Sequence, residues 1–220
     1  MATAAQDSSP TLLMLMKQME AEFFKDFAGR LAPTVRTVHV DTLEALEQAV
    51  PGPRPHTRLF AFSTSIIVPP PILKHLNYNA VNFHPGPPEY PGYRPTGFAL
   101  YDRARSYGVT AHYMTDRVDE GPIIGVDRFP VAENAFLIDV VKESYQRLAK
   151  LALAKLPALL RVDEVIPPSG ERWTPRKTTK AQYDAMRRIP RDMPDAEIAE
   201  RFRCFDGIYT PLDPDFTPEN

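Results

Sequence analysis

The chain has 220 residues, 24 of them proline, and its 26 basic residues nearly balance its 28 acidic residues. The net charge of −2 disfavours a nucleic acid as the main partner, because it offers no basic excess to neutralise a phosphate backbone. Hydrophobic residues (43%) and charged residues (25%) stand in the proportion of a globular protein that buries a core. Because proline does not fit inside helices or central strands, so many prolines predict long ordered loops.

Cysteine content and apolar runs bound the class of protein further. The single cysteine, Cys204, excludes an internal disulfide and a cysteine-rich zinc site, and it fits a reducing environment. The apolar run at residues 12–16 is too short to cross a membrane. Residues 1–10 have no basic segment ahead of an apolar stretch, so we expect no signal peptide. These features predict a cytoplasmic protein without a membrane partner.

Strand and helix patterns alternate along the chain from residue 12. This alternation up to residue 114 predicts an α/β fold with an open, mainly parallel sheet, and the last two strands predict an antiparallel edge. The Asp-Thr-Leu-Glu sequence at residues 41–44 is typical of a capping box, which makes Asp41 the expected N-cap of the second helix. The predicted strands are 12–16, 35–40, 59–62, 79–84, 108–114 and 123–129. The predicted helices are 17–31, 41–50, 72–76, 97–106, 133–160 and 195–202.

The composition changes near residue 161. Residues 172–177 have a loop-like sequence, and residues 171–203 carry nine basic against six acidic side chains. An excess of this size is typical of a solvated charged surface rather than of a nucleic-acid site. We therefore predict a catalytic domain at residues 1–160 and a small C-terminal subdomain at residues 161–220.

The fourth predicted strand ends in polar residues at an edge where open α/β sheets bind ligands. Alternation places Asn82 and His84 on one face, at the carboxyl end of that strand. Pro85 removes a ladder donor and turns the chain away, so His84 is expected to project into a cleft. Taken alone, this pattern also fits a structural histidine and a turn-capping asparagine.

Three further segments make the pattern specific. A loop rich in proline and glycine spans residues 86–95, residues 108–112 read Gly-Val-Thr-Ala-His, and residues 119–123 read Asp-Glu-Gly-Pro-Ile. In this order and spacing, the stretch from residue 60 to residue 124 resembles the folate-dependent formyltransferases, the family of the glycinamide ribonucleotide and methionyl-tRNA enzymes. The resemblance implies a Rossmann-like sheet and 10-formyltetrahydrofolate as co-substrate, with no metal.

The resemblance also implies roles for individual residues. It implies a catalytic triad of Asn82, His84 and Asp119. Asn82 and a protonated His84 would stabilise a negative oxygen, and Asp119 would favour and orient that imidazolium. Either His84 or Asp119 acting through water would move the proton from the amine to the folate nitrogen, and His112 is expected to be a supporting residue inside the sheet. The residues expected to bind the pterin ring are Ser65, Ile66, Ile67 and Val68 on one wall and Met114, Thr115, Asp116 and Val118 on the other.

Departures from the family pattern bear on the acceptor. Residues 16–20 lack the glycine and serine of a phosphate-binding loop, and the loop at 86–92 resembles those of enzymes that formylate amino sugars on nucleotide carriers. The 60 residues after Leu160 leave little room for the C-terminal barrel of the tRNA enzymes. The expected acceptor is therefore the primary amine of a nucleotide-linked amino sugar, as in lipopolysaccharide O-antigen biosynthesis. Tyr93 and Arg94 are the expected acceptor contacts, and a homodimer is the expected assembly.

Three alternatives remain open from the sequence. The same triad with water as nucleophile would make a formyltetrahydrofolate hydrolase, although such enzymes usually carry an N-terminal regulatory domain. Another amine, on a ribonucleotide or an amino-acid derivative, would fit the same chemistry. A folate-binding protein without turnover is the non-enzymatic alternative, which the intact Asn, His and Asp set disfavours.

Overall fold

The computed structural model describes residues 9–205. Residues 1–8, which carry most of the segment tested for a signal peptide, and residues 206–220 of the predicted subdomain lie outside the described residues. The strands are β1 (Thr11–Leu15), β2 (Arg36–Val40), β3 (Thr57–Phe62), β4 (Ala80–His84), β5 (Ser106–Tyr113) and β6 (Ile123–Pro130). The helices are α1 (Gln18–Leu31), α2 (Leu43–Ala49), α3 (Pro70–His75), α4 (Pro95–Tyr101), α5 (Leu137–Leu160), α6 (Lys180–Met186) and α7 (Asp195–Phe205).

The six strands form one sheet in the order β2-β1-β3-β4-β5-β6. β1 pairs in parallel with β2 and with β3, and β3 pairs in parallel with β4. The direction reverses between β4 and β5, which are antiparallel. Backbone bonds from Tyr113 to Pro122 and from Val131 to Arg105 make β6 antiparallel to β5. The mainly parallel sheet with an antiparallel edge is thus confirmed, and in the described chain no helix combines the length and apolar character needed to cross a membrane.

Contacts divide the chain into two compact units. Unit 1 comprises residues up to 84, residues 110–125 and residues 149–171. Within the described residues, unit 2 comprises 85–109, 126–148 and 172–205. The domain boundary after residue 160 stays a prediction.

The core of unit 1 covers both faces of the parallel strands. Because side chains alternate along a strand, Phe60 and Phe62 of β3 share one face, where both rings contact Phe24 of α1 at centroid distances of 5.0 and 5.2 Å. Leu59 and Ala61 occupy the opposite face, in a cluster with buried residues of α2 and α3. β3 is buried along its whole length, as expected for a central strand with helices on both sides.

A buried arginine joins this sheet to the end of α5. Arg58 is 1% exposed, and its Nε donates to Asn79 Oδ1 at 2.7 Å. Burial lowers the pKa of its guanidinium, and a charged group at this depth needs hydrogen-bond acceptors for its N–H groups. The carbonyls at the end of α5 supply them and in turn gain the donors that a helix C-terminus lacks. The accepting carbonyls are those of Ala158 at 2.7 Å, Leu159 at 3.2 Å and Arg161 at 3.2 Å, together with that of Glu164.

We expect Arg58→Met to lower the free energy of unfolding by about 3 kcal/mol, because several buried acceptors lose their donor at once. Chemical denaturation measures this loss. The matched control is Arg105→Met, which removes an exposed arginine paired with Glu133 and should cost at most about 0.5 kcal/mol. Equal losses in the two variants would contradict the anchoring role of Arg58.

Unit 2 has its own aromatic core. Phe98 of α4, Tyr183 of α6 and Phe205 of α7 lie in one cluster, and the Phe98 and Phe205 rings meet edge to face at 5.1 Å. α4 and α7 approach closely at Gly97, where a Cβ atom would lie 2.7 Å from the Cys204 carbonyl oxygen. Burial in this cluster raises the pKa of the Cys204 thiol to about 11.

The loop that follows His84 is ordered by an extended segment near residue 178. Gly92 forms a parallel bridge with Thr178, whose hydroxyl donates to the carbonyls of Pro91 at 3.1 Å and Tyr93 at 3.0 Å. A Cβ at Gly92 would lie 2.2 Å from the Thr178 carbonyl oxygen, so this close approach needs glycine. Thr174 adds a backbone bond to Pro88 at 3.0 Å. The proline-rich loop, which was predicted to be ordered, is therefore held by the segment at residues 174–178 of the same unit.

Three local predictions are wrong. The N-cap of α2 is Thr42, whose hydroxyl accepts from the Ala45 backbone N–H, rather than Asp41. The helix predicted up to residue 106 ends at Tyr101, because Arg103 adopts a positive φ of 56° and the following residues pair with β6. α6 was not predicted, although Thr179 and Gln182 form a complete capping box at its start.

Candidate active site

The pairing of β4 with β5 gathers four polar side chains on one face of the sheet. Asn82 lies opposite His112, and His84 lies opposite Thr110. Residues directly opposite each other in an antiparallel pair project to the same side, and alternate residues of a strand share a face. The prediction that Asn82 and His84 share a face therefore extends to the two residues that face them from β5.

Asp119 lies against both histidines of this group. Its Oδ2 is 3.6 Å from His84 Nδ1, and its Oδ1 is 3.4 Å from His112 Nε2. All three side chains are buried, with Asp119 4%, His84 7% and His112 2% exposed. The structure thus brings together Asn82, His84 and Asp119, the three residues predicted to be catalytic, and adds His112 as a contact of two of them.

A tight backbone approach brings Asp119 to this position. The residue has a positive φ of 51°, a conformation that aspartate tolerates better than most side chains. Two residues later, Gly121 packs so closely that a Cβ atom would lie 1.9 Å from the Tyr113 carbonyl oxygen. Tyr113 also donates its backbone N–H to the Pro122 carbonyl at 2.9 Å. The loop after β5 therefore folds back onto the end of its own strand.

The hydrogen bonds of His112 determine which of its nitrogens carries a proton. Nδ1 lies 2.9 Å from the Tyr113 carbonyl, which can only accept, so Nδ1 is the protonated nitrogen. Nε2 lies 3.2 Å from the side-chain amide of Asn82 and 3.4 Å from Asp119 Oδ1. The same ring nitrogen of His112 therefore contacts both of these predicted catalytic residues.

Asp119 is a buried carboxylate with an imidazole on each side. An ionised carboxylate buried to this extent requires a positive partner nearby. His84 Nδ1 at 3.6 Å and His112 Nε2 at 3.4 Å both face it, so either ring can carry the compensating proton.

The two segments expected to bind the pterin ring contribute to one hydrophobic cluster. Ile66, Val68 and Met114 all pack against it. Residues 64–69 form neither helix nor strand, so their backbone groups lie outside the sheet ladders. Ser65 is exposed, and the apolar side chains of Ile67 and Val118 are 69% and 45% exposed.

Sequence reasoning missed a tyrosine that holds the second of these segments. Tyr78 donates its hydroxyl to Asp116 Oδ1 at 3.0 Å, and the carboxylate raises the pKa of Tyr78. Thr115 closes a local turn, since its hydroxyl donates to the Arg117 carbonyl at 2.9 Å. No motif includes Tyr78, because its partner lies 38 residues further along the chain.

The two predicted acceptor contacts, Tyr93 and Arg94, belong to unit 2. Tyr93 is 38% exposed, and its ring meets Tyr183 edge to face at 5.7 Å. The Arg94 guanidinium stacks over both rings, 5.7 Å from the centroid of Tyr93 and 5.2 Å from that of Tyr183. Their role in acceptor binding stays a prediction.

The fold and this buried group define an α/β protein with an amide, an imidazole and a carboxylate at the end of a parallel strand. The family model for formyl transferases matches residues 35–160, which include all of these residues. The chain belongs to the formyl transferase family. The family resemblance stated from the sequence motifs is therefore confirmed.

Curated relatives match a shorter stretch. A methionyl-tRNA formyltransferase of Listeria innocua is 33% identical over 86 residues, which make up 39% of this chain and 26% of that protein. The match spans about a quarter of the length of that relative.

Solved structures match most of the chain. The formyltransferase PseJ of Anoxybacillus kamchatkensis, solved with UDP-4,6-dideoxy-4-formamido-L-AltNAc and tetrahydrofolate, has a TM-score of 0.64 and 19% identity over 87% of this chain and 96% of its own. An N-formyltransferase of Helicobacter canadensis, in complex with folinic acid and dTDP-3-aminofucose, has a TM-score of 0.65 and 15% identity over 90% of this chain and 80% of its own. At these identities the similarity establishes the shared fold.

We expect Gly121→Ala to move Asp119 away from both imidazoles, because the new methyl group cannot occupy the space of the Tyr113 carbonyl. The overpacking should cost about 1–3 kcal/mol of stability, measured by denaturation, and should shift the imidazole NMR resonances of His84 and His112. Gly52→Ala is the control, because a Cβ atom at that position meets nothing within 4 Å. Unchanged imidazole resonances in Gly121→Ala would mean that the loop does not need glycine there.

Proposed function

We propose that this protein transfers a formyl group from 10-formyltetrahydrofolate to the primary amine of a nucleotide-linked amino sugar. One observation carries the proposal: within the family match, Asp119 lies 3.6 Å from Nδ1 of His84, on the strand face that His84 shares with Asn82. The bound folate would supply an activated formyl group on its N10 nitrogen. Transfer then requires a donor for the carbonyl oxygen and a route for one proton.

Asn82 and His84 meet the first requirement. Negative charge develops on the formyl oxygen when an amine attacks the carbon, and donors fixed beforehand stabilise it with little reorganisation. Asn82 can offer a side-chain amide hydrogen, and His84 can offer its Nε2 hydrogen. Asp119 keeps His84 in the charged form by the proximity of its carboxylate.

The proton balance assigns a second task to His84 or Asp119. When the new C–N bond forms and the old one breaks, the amine loses one proton and the departing nitrogen gains one. His84 is buried beside Asp119 and can deliver or accept that proton directly, whereas Asp119 would act through water. Either path returns the pair to its starting charge after each turnover.

The residues expected to hold the folate suit a flat, partly apolar ring. Ile67 and Val118 present exposed apolar surface. Residues close to them in the chain, Ile66 and Met114, pack against the same hydrophobic cluster. The irregular backbone at residues 64–69 can offer hydrogen-bonding groups to the ring edge. We propose that Ser65, Ile66, Ile67 and Val68 form one wall and Met114, Thr115, Asp116 and Val118 the other.

The choice of acceptor is supported by two solved relatives. One was crystallised with a UDP-linked formamido sugar and the other with a dTDP-linked amino sugar, each with a folate compound. Both share the fold of this chain over at least 87% of its length. A cytoplasmic location and a homodimeric assembly belong to the same proposal, as do acceptor contacts by Tyr93 and Arg94.

The test is a panel of UDP- and dTDP-linked amino sugars assayed with 10-formyltetrahydrofolate. We expect release of tetrahydrofolate to require the amine, with a matching formamide product seen by mass spectrometry. The matched hydroxyl sugars serve as controls. Equal release in buffer alone would identify a formyltetrahydrofolate hydrolase, and binding without release would identify a folate-binding protein.

His84→Ala should lower kcat by at least about a hundredfold, because the oxyanion donor and the proton carrier are lost together. The folate dissociation constant and the melting temperature should change little, which separates chemistry from folding. His56→Ala is the control, since His56 forms an exposed pair with Asp163 in the same unit. If His84→Ala kept activity near that of the unmodified protein, the assignment of His84 to a catalytic triad would be wrong.

Ile67→Asp should weaken folate binding about tenfold or more, because a carboxylate replaces apolar contact with the ring. Isothermal titration calorimetry with tetrahydrofolate measures the effect. The control is Val165→Asp, which places the same charge on a side chain that is 82% exposed in the same unit. Equal affinities in the two variants would place the pterin site elsewhere.

A further inference from the structure

The turn that joins α3 to β4 holds two neighbouring residues in the left-handed region of backbone conformation. Asn77 and Tyr78 have φ values of 50° and 56°. Asparagine tolerates this conformation, whereas the Cβ atom of a tyrosine crowds the neighbouring carbonyl there. The turn is nevertheless fixed by its backbone, since the Tyr78 N–H donates to the Leu73 carbonyl at 2.7 Å. A disfavoured conformation held in this way is typical of residues that serve a binding site.

The Tyr78 hydroxyl reaches a loop from a distant part of the sequence. It donates to Asp116 Oδ1 at 3.0 Å, across 38 residues of chain and within unit 1. The loop, residues 114–118, also forms local bonds, such as that from the Thr115 hydroxyl to the Arg117 carbonyl at 2.9 Å. Local bonds shape the loop but do not fix its place on the sheet, so the bond from Tyr78 supplies a restraint of a different kind.

Helix α3, which precedes this turn, also contacts the other segment expected to bind the pterin ring. α3 follows residues 65–68 in the chain, and Val68 is buried in one hydrophobic cluster with residues of α3 and with Ala80. Met114 packs against the same cluster, and its backbone N–H donates to the Ala80 carbonyl at 2.8 Å. Because alternate residues of a strand share a face, Ala80 lies on the face of β4 that carries Asn82. α3 and the turn after it therefore link both segments on the face of the candidate active site.

We propose that Tyr78 is a positioning residue for the folate: through its bond to Asp116 it sets the separation of the two pterin walls, residues 65–68 and 114–118. This inference rests on the proposed function. A flat ring held on both faces needs its walls about 7 Å apart, which is twice the optimal distance between carbon atoms in contact. A loop fixed at that separation before binding loses less conformational entropy when the ring enters. Tyr78 thus acts on folate affinity through Asp116 and takes no part in formyl transfer itself.

The exposure of the pair sets the size of the expected effect. Tyr78 is 36% exposed and Asp116 is exposed, so water competes for both groups. A hydrogen bond to a carboxylate that water can replace contributes only modestly. We therefore expect loss of the hydroxyl to weaken folate binding about threefold to tenfold.

Tyr78→Phe removes the hydroxyl and keeps the ring. Isothermal titration calorimetry should show the dissociation constant of tetrahydrofolate raised by that factor. Steady-state assays should show the KM for 10-formyltetrahydrofolate raised, with kcat changed less than about twofold, whereas a general loss of structure would lower kcat as well. Tyr101→Phe is the matched control, because it removes the same group from a similar bond, to Glu197 at 2.8 Å in unit 2. Both constants should stay unchanged in that variant, and circular dichroism melting compares the stability of the two.

Substitutions of Asp116 test whether Tyr78 acts through it. Asp116→Ala removes the acceptor, whereas Asp116→Asn keeps a side-chain oxygen that can accept from the hydroxyl. Adding Tyr78→Phe should leave the folate dissociation constant unchanged in the Asp116→Ala background and should still raise it in the Asp116→Asn background. An equal effect of Tyr78→Phe in the Asp116→Ala and unmodified backgrounds would overturn the inference.

Hydrogen–deuterium exchange tests the restraint on the loop without folate. In the free protein, exchange at residues 114–118 should be faster in Tyr78→Phe than in Tyr101→Phe, because the loop opens more readily. Equal exchange in the two variants overturns the inference, as does unchanged folate affinity in Tyr78→Phe, and the proposed function then stands as long as the unmodified chain binds tetrahydrofolate. If the unmodified chain does not bind tetrahydrofolate, the proposed function is wrong and the positioning role is overturned with it.

Discussion

The constraint on which the candidate site depends is the burial of one carboxylate between two imidazoles. Asp119 is 4% exposed, and its charge at this depth is stable only beside a positive partner. His84 Nδ1 lies 3.6 Å and His112 Nε2 lies 3.4 Å from this carboxylate, so either ring can carry the compensating proton. His112 also contacts the Asn82 amide at 3.2 Å, so the carboxylate, the two imidazoles and the amide form one connected group.

The backbone brings the amide, the two imidazoles and the carboxylate together. The antiparallel pairing of β4 with β5 puts His112 opposite Asn82 and Thr110 opposite His84. The positive φ of Asp119 and the absence of a side chain at Gly121 then let the following loop return to the same face. These residues belong to one unit, and the anchoring of its sheet to α5 by Arg58 stabilises the framework that holds them.

Sequence reasoning succeeded where local periodicity carries the information. The two-residue period of a strand was sufficient to place Asn82 and His84 on one face. The alternation of strand and helix patterns was sufficient to predict a mainly parallel sheet with an antiparallel edge. It failed where a single side chain decides between neighbouring residues, as with Thr42 in place of Asp41 at the start of α2. It could not reveal the pairing of Tyr78 with Asp116 or the contacts of His112 with Asn82 and Asp119, because both depend on partners that only the folded chain brings together.

Selectivity between an amine and water cannot come from Asn82, His84 and Asp119 alone, since the same donors and the same proton route serve either nucleophile. Under the proposed function, selectivity needs a further surface of fixed shape that holds the acceptor amine. Within unit 2, the loop that follows His84 in the chain has five prolines between residues 85 and 95, which restrict the unbound chain. The bridge from Gly92 to Thr178 adds a tertiary restraint that prolines cannot supply. A loop ordered beforehand loses little entropy when an acceptor binds, so the contacts it makes contribute more fully to discrimination.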